Sequence, residues 1–182
     1  MKYLFGIVQF LVLLGQTSMG FAQSSYTINA KASEINFEIS HMKVMTVKGC
    51  FHDFSGEVIA DKTSIKEISS KINVKSIDTK DTSRDKSLLN DKYFDAETFP
   101  FISFKSLHIR STDSGYVIDG LLKIKDVEKK ITFPYKVTRE DGVLHFYADT
   151  VINRKDFNLK FGLMDTLVGK EVNITLKIVA EE

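Results

Sequence analysis

Apolar and polar residues alternate with a period of two in segment after segment of this chain, which restricts it to strands that bury one face and wet the other. Ile35, Phe37 and Ile39 alternate with Glu34, Asn36 and Glu38, and Ile68, Ser70, Ile72 and Val74 with Ser69, Lys71 and Asn73. The same beat returns over residues 116–124, 131–137, 144–152 and 172–178. Asp113-Ser114-Gly115 and Glu140-Asp141-Gly142 separate consecutive runs at hairpin spacing, so neighbouring strands should be antiparallel. About eight amphipathic strands can hide one face only in a sandwich or a closed barrel. Several runs reach about 9 to 11 residues against a usual mode of about 5 to 6, and this length favours the barrel. The expected fold class is all-β: an extended eight-stranded antiparallel barrel.

One stretch breaks the beat. Between Ser76 and Ser106 the chain reads SIDTKDTSRDKSLLNDKYFDAETFPFISFKS. Asp81 or Ser83 is placed to cap a short helix through Leu88-Leu89, and Asn90-Asp91 to start another turn near Tyr93-Phe94. Pro100 then ends the helix and opens a strand. A short helical insert around residues 81–98, lying across or beside one barrel mouth, is the expectation.

The first residues read as a cleaved signal peptide, with Lys2 as its positive end, a mostly apolar run over residues 3–14, and Gly20-Phe21-Ala22 at the cut. The apolar run is shorter than the roughly 20 residues of a spanning helix, and no Cys stands near the cut to carry a lipid. Residues 1–22 are therefore assigned to the signal and 23–182 to one domain, exported to the periplasm or secreted, with no transmembrane anchor once the signal is removed. The signal holds Lys2 and no acid, so the chain's 25 Lys and Arg fall to parity with its 24 Asp and Glu, a balance that argues against nucleic acid as a partner. Cys50 is the single cysteine; an intrachain disulfide is impossible, and a small apolar filler is the expected role.

Chemistry is thinly signalled. The histidines, at positions 41, 52, 108 and 145, show no close metal-ligand spacing, no Gly-x-Ser-x-Gly elbow occurs, and no glycine-rich phosphate loop is present. Asp78, Asp81, Asp85, Asp91 and Asp95 interleave with lysines off any calcium-loop spacing and read as caps and turns. His52 beside Asp53 reads as solvated, and the facing of His108 is left open. Arg84-Asp85 would either pin the insert to the barrel or meet an anionic head group, and Asn153-Arg154 with Asp156-Phe157 reads as a salt bridge or turn. No catalytic residue, metal or cofactor is expected. The lumen should be lined by Phe37, Ile39, Phe51, Ile72, Ile102, Phe104, Leu122, Ile124, Phe133 and Phe146, and His41 shares the inward parity at a strand end. Whether such a lumen is packed solid or holds one ligand, patterning alone leaves open.

An ordered set of motifs runs through Tyr26-Thr27-Ile28, Ser33-x-Ile35-x-Phe37-x-Ile39-x-His41 and Val47-x-Gly49-x-Phe51-x-x-Phe54-x-Gly56. It continues through Ser76-Ile77-Asp78-Thr79, Arg84-Asp85, Leu88, Phe94-Asp95 and Phe99-Pro100-x-Ile102-x-Phe104-x-Ser106, then Tyr116-x-Ile118-x-Gly120-x-Leu122-x-Ile124, Ile152-Asn153-Arg154-x-Asp156-Phe157 and Val168-Gly169. In these motifs the chain resembles the YceI-like family along nearly all of residues 23–182. Tyr26, Ser87, Asp126 and Asn158 depart from it, standing where relatives commonly carry Trp, His, Gly and Gly. The resemblance implies a lipocalin-like barrel that carries or stores a long apolar molecule, a polyisoprenoid or fatty-acid-like chain, without catalysis. His41, Arg84 and Asp85 are then the head-group candidates. Two other classes stand beside this one: an envelope interaction or stress-response module with a filled core, and a lipid ester hydrolase. A homodimer is left open.

Overall fold

The computed structural model describes residues 23–42, 44–113, 115–162 and 165–182; the expected signal at residues 1–22 lies outside them. The alternating runs form eleven strands in one antiparallel sheet. They are β1 (Ser24–Ile28), β2 (Glu34–His41), β3 (Met45–Phe51), β4 (Phe54–Ala60), β5 (Ile65–Asn73), β6 (Ile77–Asp78), β7 (Phe101–Thr112), β8 (Gly115–Ile124), β9 (Val127–Glu140), β10 (Val143–Asn153) and β11 (Val168–Glu181). A single α-helix is found among the described residues, α1 (Thr82–Leu88), inside the expected insert. Residues 91–94 and 96–98 of the insert are turns.

Eleven strands make eight walls because three walls are interrupted. β1 and β2 are successive parts of one wall, as are β3 with β4, and β5 with β6. Asparagine sits at two of these interruptions. Asn29 accepts from the backbone N–H groups of Lys31 and Ala32, and Asn73 from that of Lys75, which turns the chain through one 3-10 turn before the wall resumes. Asn153 does the same where β10 ends. The ring closes through β11, which pairs with β10 on one side and on the other with β1 (Ile28 opposite Ala180) and then β2 (Ile35 opposite Leu176). The closed, eight-walled antiparallel barrel is the architecture the patterning predicts.

Turn chemistry agrees with the hairpins. Asp141 and Gly142 both take positive φ (49° and 81°) between the paired Glu140 and Val143, the requirement of a tight two-residue loop. His108 falls just past a register shift between Ser106 and His108 in β7, so Leu107 and His108 both face solvent; the bulge removes the parity from which its facing could be read.

One end of the barrel is closed by buried side chains around a void of only about 30 Å³. Tyr26, Ile28, Val58, Leu144 and Ala180 are buried there, and the Arg139 guanidinium lies 5.4 Å from the Tyr26 ring centre while donating to the Asp61 carbonyl at 2.9 Å. At the other end β6 pairs with β3 alone, leaving a seam toward β7 that residues 79–100 fill. No helix among the described residues is long and apolar enough to cross a membrane.

Candidate ligand cavity

Inward-facing side chains from every wall enclose a cavity of about 410 Å³. All ten side chains nominated from patterning lie along it, joined by Val47, Ile68, Ile118, Ile131, Val172 and Leu176 among others. On β11 the lining runs from Val168 to Ile178, about 30 Å of strand at about 3.3 Å per residue, so the space is long as well as apolar.

The room inside depends on two glycines. Gly49 and Gly120 stand at inward positions, and a Cβ on Gly49 would come within 2.4 Å of the Phe37 ring, one on Gly120 within 2.3 Å of the Phe104 ring. Each phenyl ring therefore lies against the backbone of its neighbouring wall instead of projecting across the lumen. Phe37 then meets Phe51 at 5.6 Å and Phe104 meets Phe133 at 5.7 Å between ring centres, tilted contacts of the kind aromatic pairs prefer.

The mouth is built from two segments. In the first, the Asp81 side chain caps α1 by accepting from the N–H groups of Ser83 and Arg84, both at 3.0 Å. Thr79, buried just after β6, holds the helix down: its N–H and hydroxyl donate to Asp85 Oδ1 at 3.0 and 2.6 Å, while Arg84 Nε donates to its hydroxyl and Arg84 Nη2 to its carbonyl, both at 2.7 Å. Arg84, Ser87, Leu88, Tyr93 and Phe94 face the cavity.

The second segment, residues 154–162 and 165–167, is organised by Arg154. Only 1% of this residue is exposed, and its guanidinium donates to Asp165 Oδ1 (2.6 Å) and to the carbonyls of Leu159, Asp165, Val168 and Gly169. Asp165 in turn is held well below the usual carboxylate range, first by Lys155, then by the Phe161 N–H and by Arg154. Asn158 takes the left-handed conformation (φ 57°) that closes this turn, a position where the departure from glycine costs little because asparagine tolerates that region. The two segments touch through the rings of Tyr93 and Phe161, 5.1 Å apart.

Of the three head-group candidates, His41 and Arg84 line the cavity, at the end of β2 and on the capping helix. Asp85 does not reach it: with Oδ1 taken up by Thr79, its role is to pin the helix, the first of the two roles the sequence left open for Arg84-Asp85. Thr79, Tyr93, Leu159, Phe161 and Arg154 were not foreseen as lining residues. Arg154 does make a salt bridge, yet to Asp165 and with its own guanidinium buried, which no local pattern marks. Cys50 is no interior filler: the next residue, Phe51, takes the inward position, and Cys50 faces outward with His52.

The lining as a whole is apolar, with polar side chains concentrated at one end, and no nucleophile paired with an oriented base faces it among the described residues. Such an arrangement can hold a long apolar molecule by burial and orient a polar end.

Comparison with known proteins agrees with the architecture. The YceI-like domain matches residues 26–180. A UPF0312 protein of Photorhabdus laumondii is 28% identical over 189 residues, covering 100% of this chain and 98% of that protein. Among solved structures, BcnA of Burkholderia cenocepacia superposes with a TM-score of 0.77 at 25% identity, covering 84% of this chain and 98% of that one. A polyisoprenoid binding domain from Saccharophagus degradans, implicated in plant cell wall breakdown, shares the fold with a TM-score of 0.71 at 17% identity, over 86% of this chain and 97% of that one.

Proposed function

Because this chain belongs to the YceI-like domain family, we propose that it is an exported carrier that holds one long apolar molecule, a polyisoprenoid or fatty-acid-like chain, inside its barrel. The observation that carries the proposal is the long, apolar, aromatic-lined cavity of about 410 Å³ within a closed wall. Transfer of a hydrocarbon chain into it stabilises by about 0.8 kcal/mol per CH2 and needs no directional chemistry. The apolar chain points toward Phe146 and Ile178, and its polar end meets His41 and Arg84 at the mouth. Binding by a structural neighbour named as a polyisoprenoid binding domain supports the ligand class. The signal-like residues 1–22 support export. A cavity of this size weighs against an interaction module whose lumen is merely core, and the absence of a nucleophile–base pair along the described lining weighs against a lipid ester hydrolase.

The test is native mass spectrometry of protein purified from its own envelope, followed by lipid extraction. One apolar molecule per chain is expected. A chain that emerges empty, and takes up neither a polyprenol nor a long-chain fatty acid when offered them, would refute the carrier.

A further inference from the structure

On the outer wall, behind the capping helix, we propose a transition-metal site for a zinc-class divalent cation built from Cys50, His52 and Asp78. Two of the three donors come from paired strands and the third from the link that follows one of them. Cys50 ends the outward parity of β3, His52 follows at the wall's interruption, and the register pairs Cys50 directly with Asp78 of β6. Cys50 Sγ, His52 Nε2 and an Asp78 carboxylate oxygen all lie within 4.8 Å of one another.

The geometry separates a metal site from a proton relay. In a nucleophile–imidazole–carboxylate relay the two partners sit on opposite ring nitrogens. Here one nitrogen, Nε2, faces both the thiol sulfur at 3.5 Å and Asp78 Oδ2 at 3.1 Å. One nitrogen cannot accept from the first while donating to the second. Convergence of sulfur, imidazole nitrogen and carboxylate oxygen on one point is what a cation requires. With about 2.3 Å to sulfur and about 2.0 Å to nitrogen or oxygen, a tetrahedral zinc places its S and N donors about 3.6 Å apart and its N and O donors about 3.3 Å apart. The two separations that involve His52, 3.5 and 3.1 Å, are within a few tenths of an ångström of these edges, and the sulfur and the Asp78 oxygen, within 4.8 Å of each other, would draw together on a bound ion. A thiolate with an imidazole selects zinc-class ions over magnesium or calcium, and the exposed side of His52 leaves the fourth position to water.

Lys80 is the competitor. Its ammonium lies 2.7 Å from Asp78 Oδ2, while its backbone N–H holds Oδ1. The lysine side chain is largely exposed and free to swing into solvent when a cation takes its place. A bound ion would also strap β6 to β3, whose pairing consists of two residue pairs, next to the Thr79 clamp of the helix. The sequence hides this site because Cys50 and His52 carry no recognisable spacing and Asp78 joins them only through the sheet.

The tag-free, reduced protein is titrated with Co(II). One equivalent should bind with a thiolate-to-cobalt charge-transfer band, be displaced by Zn(II), and raise the melting temperature. Cys50→Ser and His52→Gln, each checked for native circular dichroism, should abolish the band and weaken zinc binding by about 100-fold or more. Lys80→Met should tighten it several-fold. Independently of any variant, Zn(II) should slow alkylation of Cys50 in the native protein. Cobalt binding without the charge-transfer band, equal zinc affinity in His52→Gln, or alkylation unaffected by zinc would each overturn the assignment.

Discussion

Replacing Gly120 with alanine adds one methyl group to the wall and should empty the carrier of much of its affinity. The new Cβ would lie 2.3 Å from Phe104 Cζ and 2.8 Å from the Lys105 carbonyl, so the ring must move away and the β7 backbone beside it must give by a few tenths of an ångström. Phe104 leaves its place against Gly120, breaks its contact with Phe133, and turns into the lumen. Loss of the aromatic pair costs stability by about 0.5–1.5 kcal/mol. If the ring takes the room of about three chain methylenes, the ligand loses about 2.4 kcal/mol at about 0.8 kcal/mol per CH2. That is close to a 50-fold rise in Kd at about 1.4 kcal/mol per decade. Displacement of a fluorescent fatty-acid probe measures it, with the melting temperature followed alongside. The diagnostic partner is Gly120→Ala/Phe104→Leu, which removes the ring that was displaced and should recover the part of the affinity lost to it, the contact with the Lys105 carbonyl remaining. Equal Kd for wild type and Gly120→Ala, in a protein that is still folded, would refute the view that glycine seats keep the lumen open.

Arg154→Met should be severely destabilising, by about 3–5 kcal/mol in urea unfolding, because it strips Asp165 and four buried or part-buried carbonyls of their donor; Arg154→Lys should not restore it, since one ammonium cannot serve five acceptors. The mouth should loosen in acid. Asp165 is shifted down in the folded protein, so its contribution is present above the ordinary carboxylate value near 4 and is lost as pH falls below that value toward the folded one. Probe release should therefore accelerate below about pH 4 in wild type and lose that dependence in Asp165→Asn. Tyr135→Phe should be neutral or stabilising by about 1 kcal/mol in thermal melts, since the Tyr135 hydroxyl is buried with no hydrogen-bond partner among the described residues and burial pushes its pKa up to about 12.

Patterning reads the barrel well because each wall buries one face along its whole length, and a period of two survives any detail of register. Phe37, Phe104 and Phe133 could be placed in the lumen from that beat alone. What it does not carry is contact across the barrel mouth. Arg154 looks like any charged residue at a strand end until the chain folds back to bring Asp165 and the Val168 and Gly169 carbonyls around it. Asp85 shows the reverse case: adjacency to Arg84 suggested a shared task, but successive residues on a helix point about 100° apart, and only Arg84 faces the cavity. The asparagines at 29, 73 and 153 are visible in the sequence, yet a single cap residue looks the same in a loop as at a bent wall. The helical insert around residues 81–98 is legible because helix caps and Pro100 interrupt the alternation, but its fastening to β6 through Thr79 rests on hydrogen bonds that only the fold assembles.

Closure of the wall through β11 and β1 has a consequence for what the protein accepts. A tube whose circumference is fixed by continuous hydrogen-bond ladders cannot widen without giving up backbone pairs, whereas its capped end can shift side chains to admit a few more carbons. Tolerance should therefore be loose in cargo length and strict in cargo girth. Linear and methyl-branched chains would pass the same gauge, and rigid fused rings would be turned away at the rim.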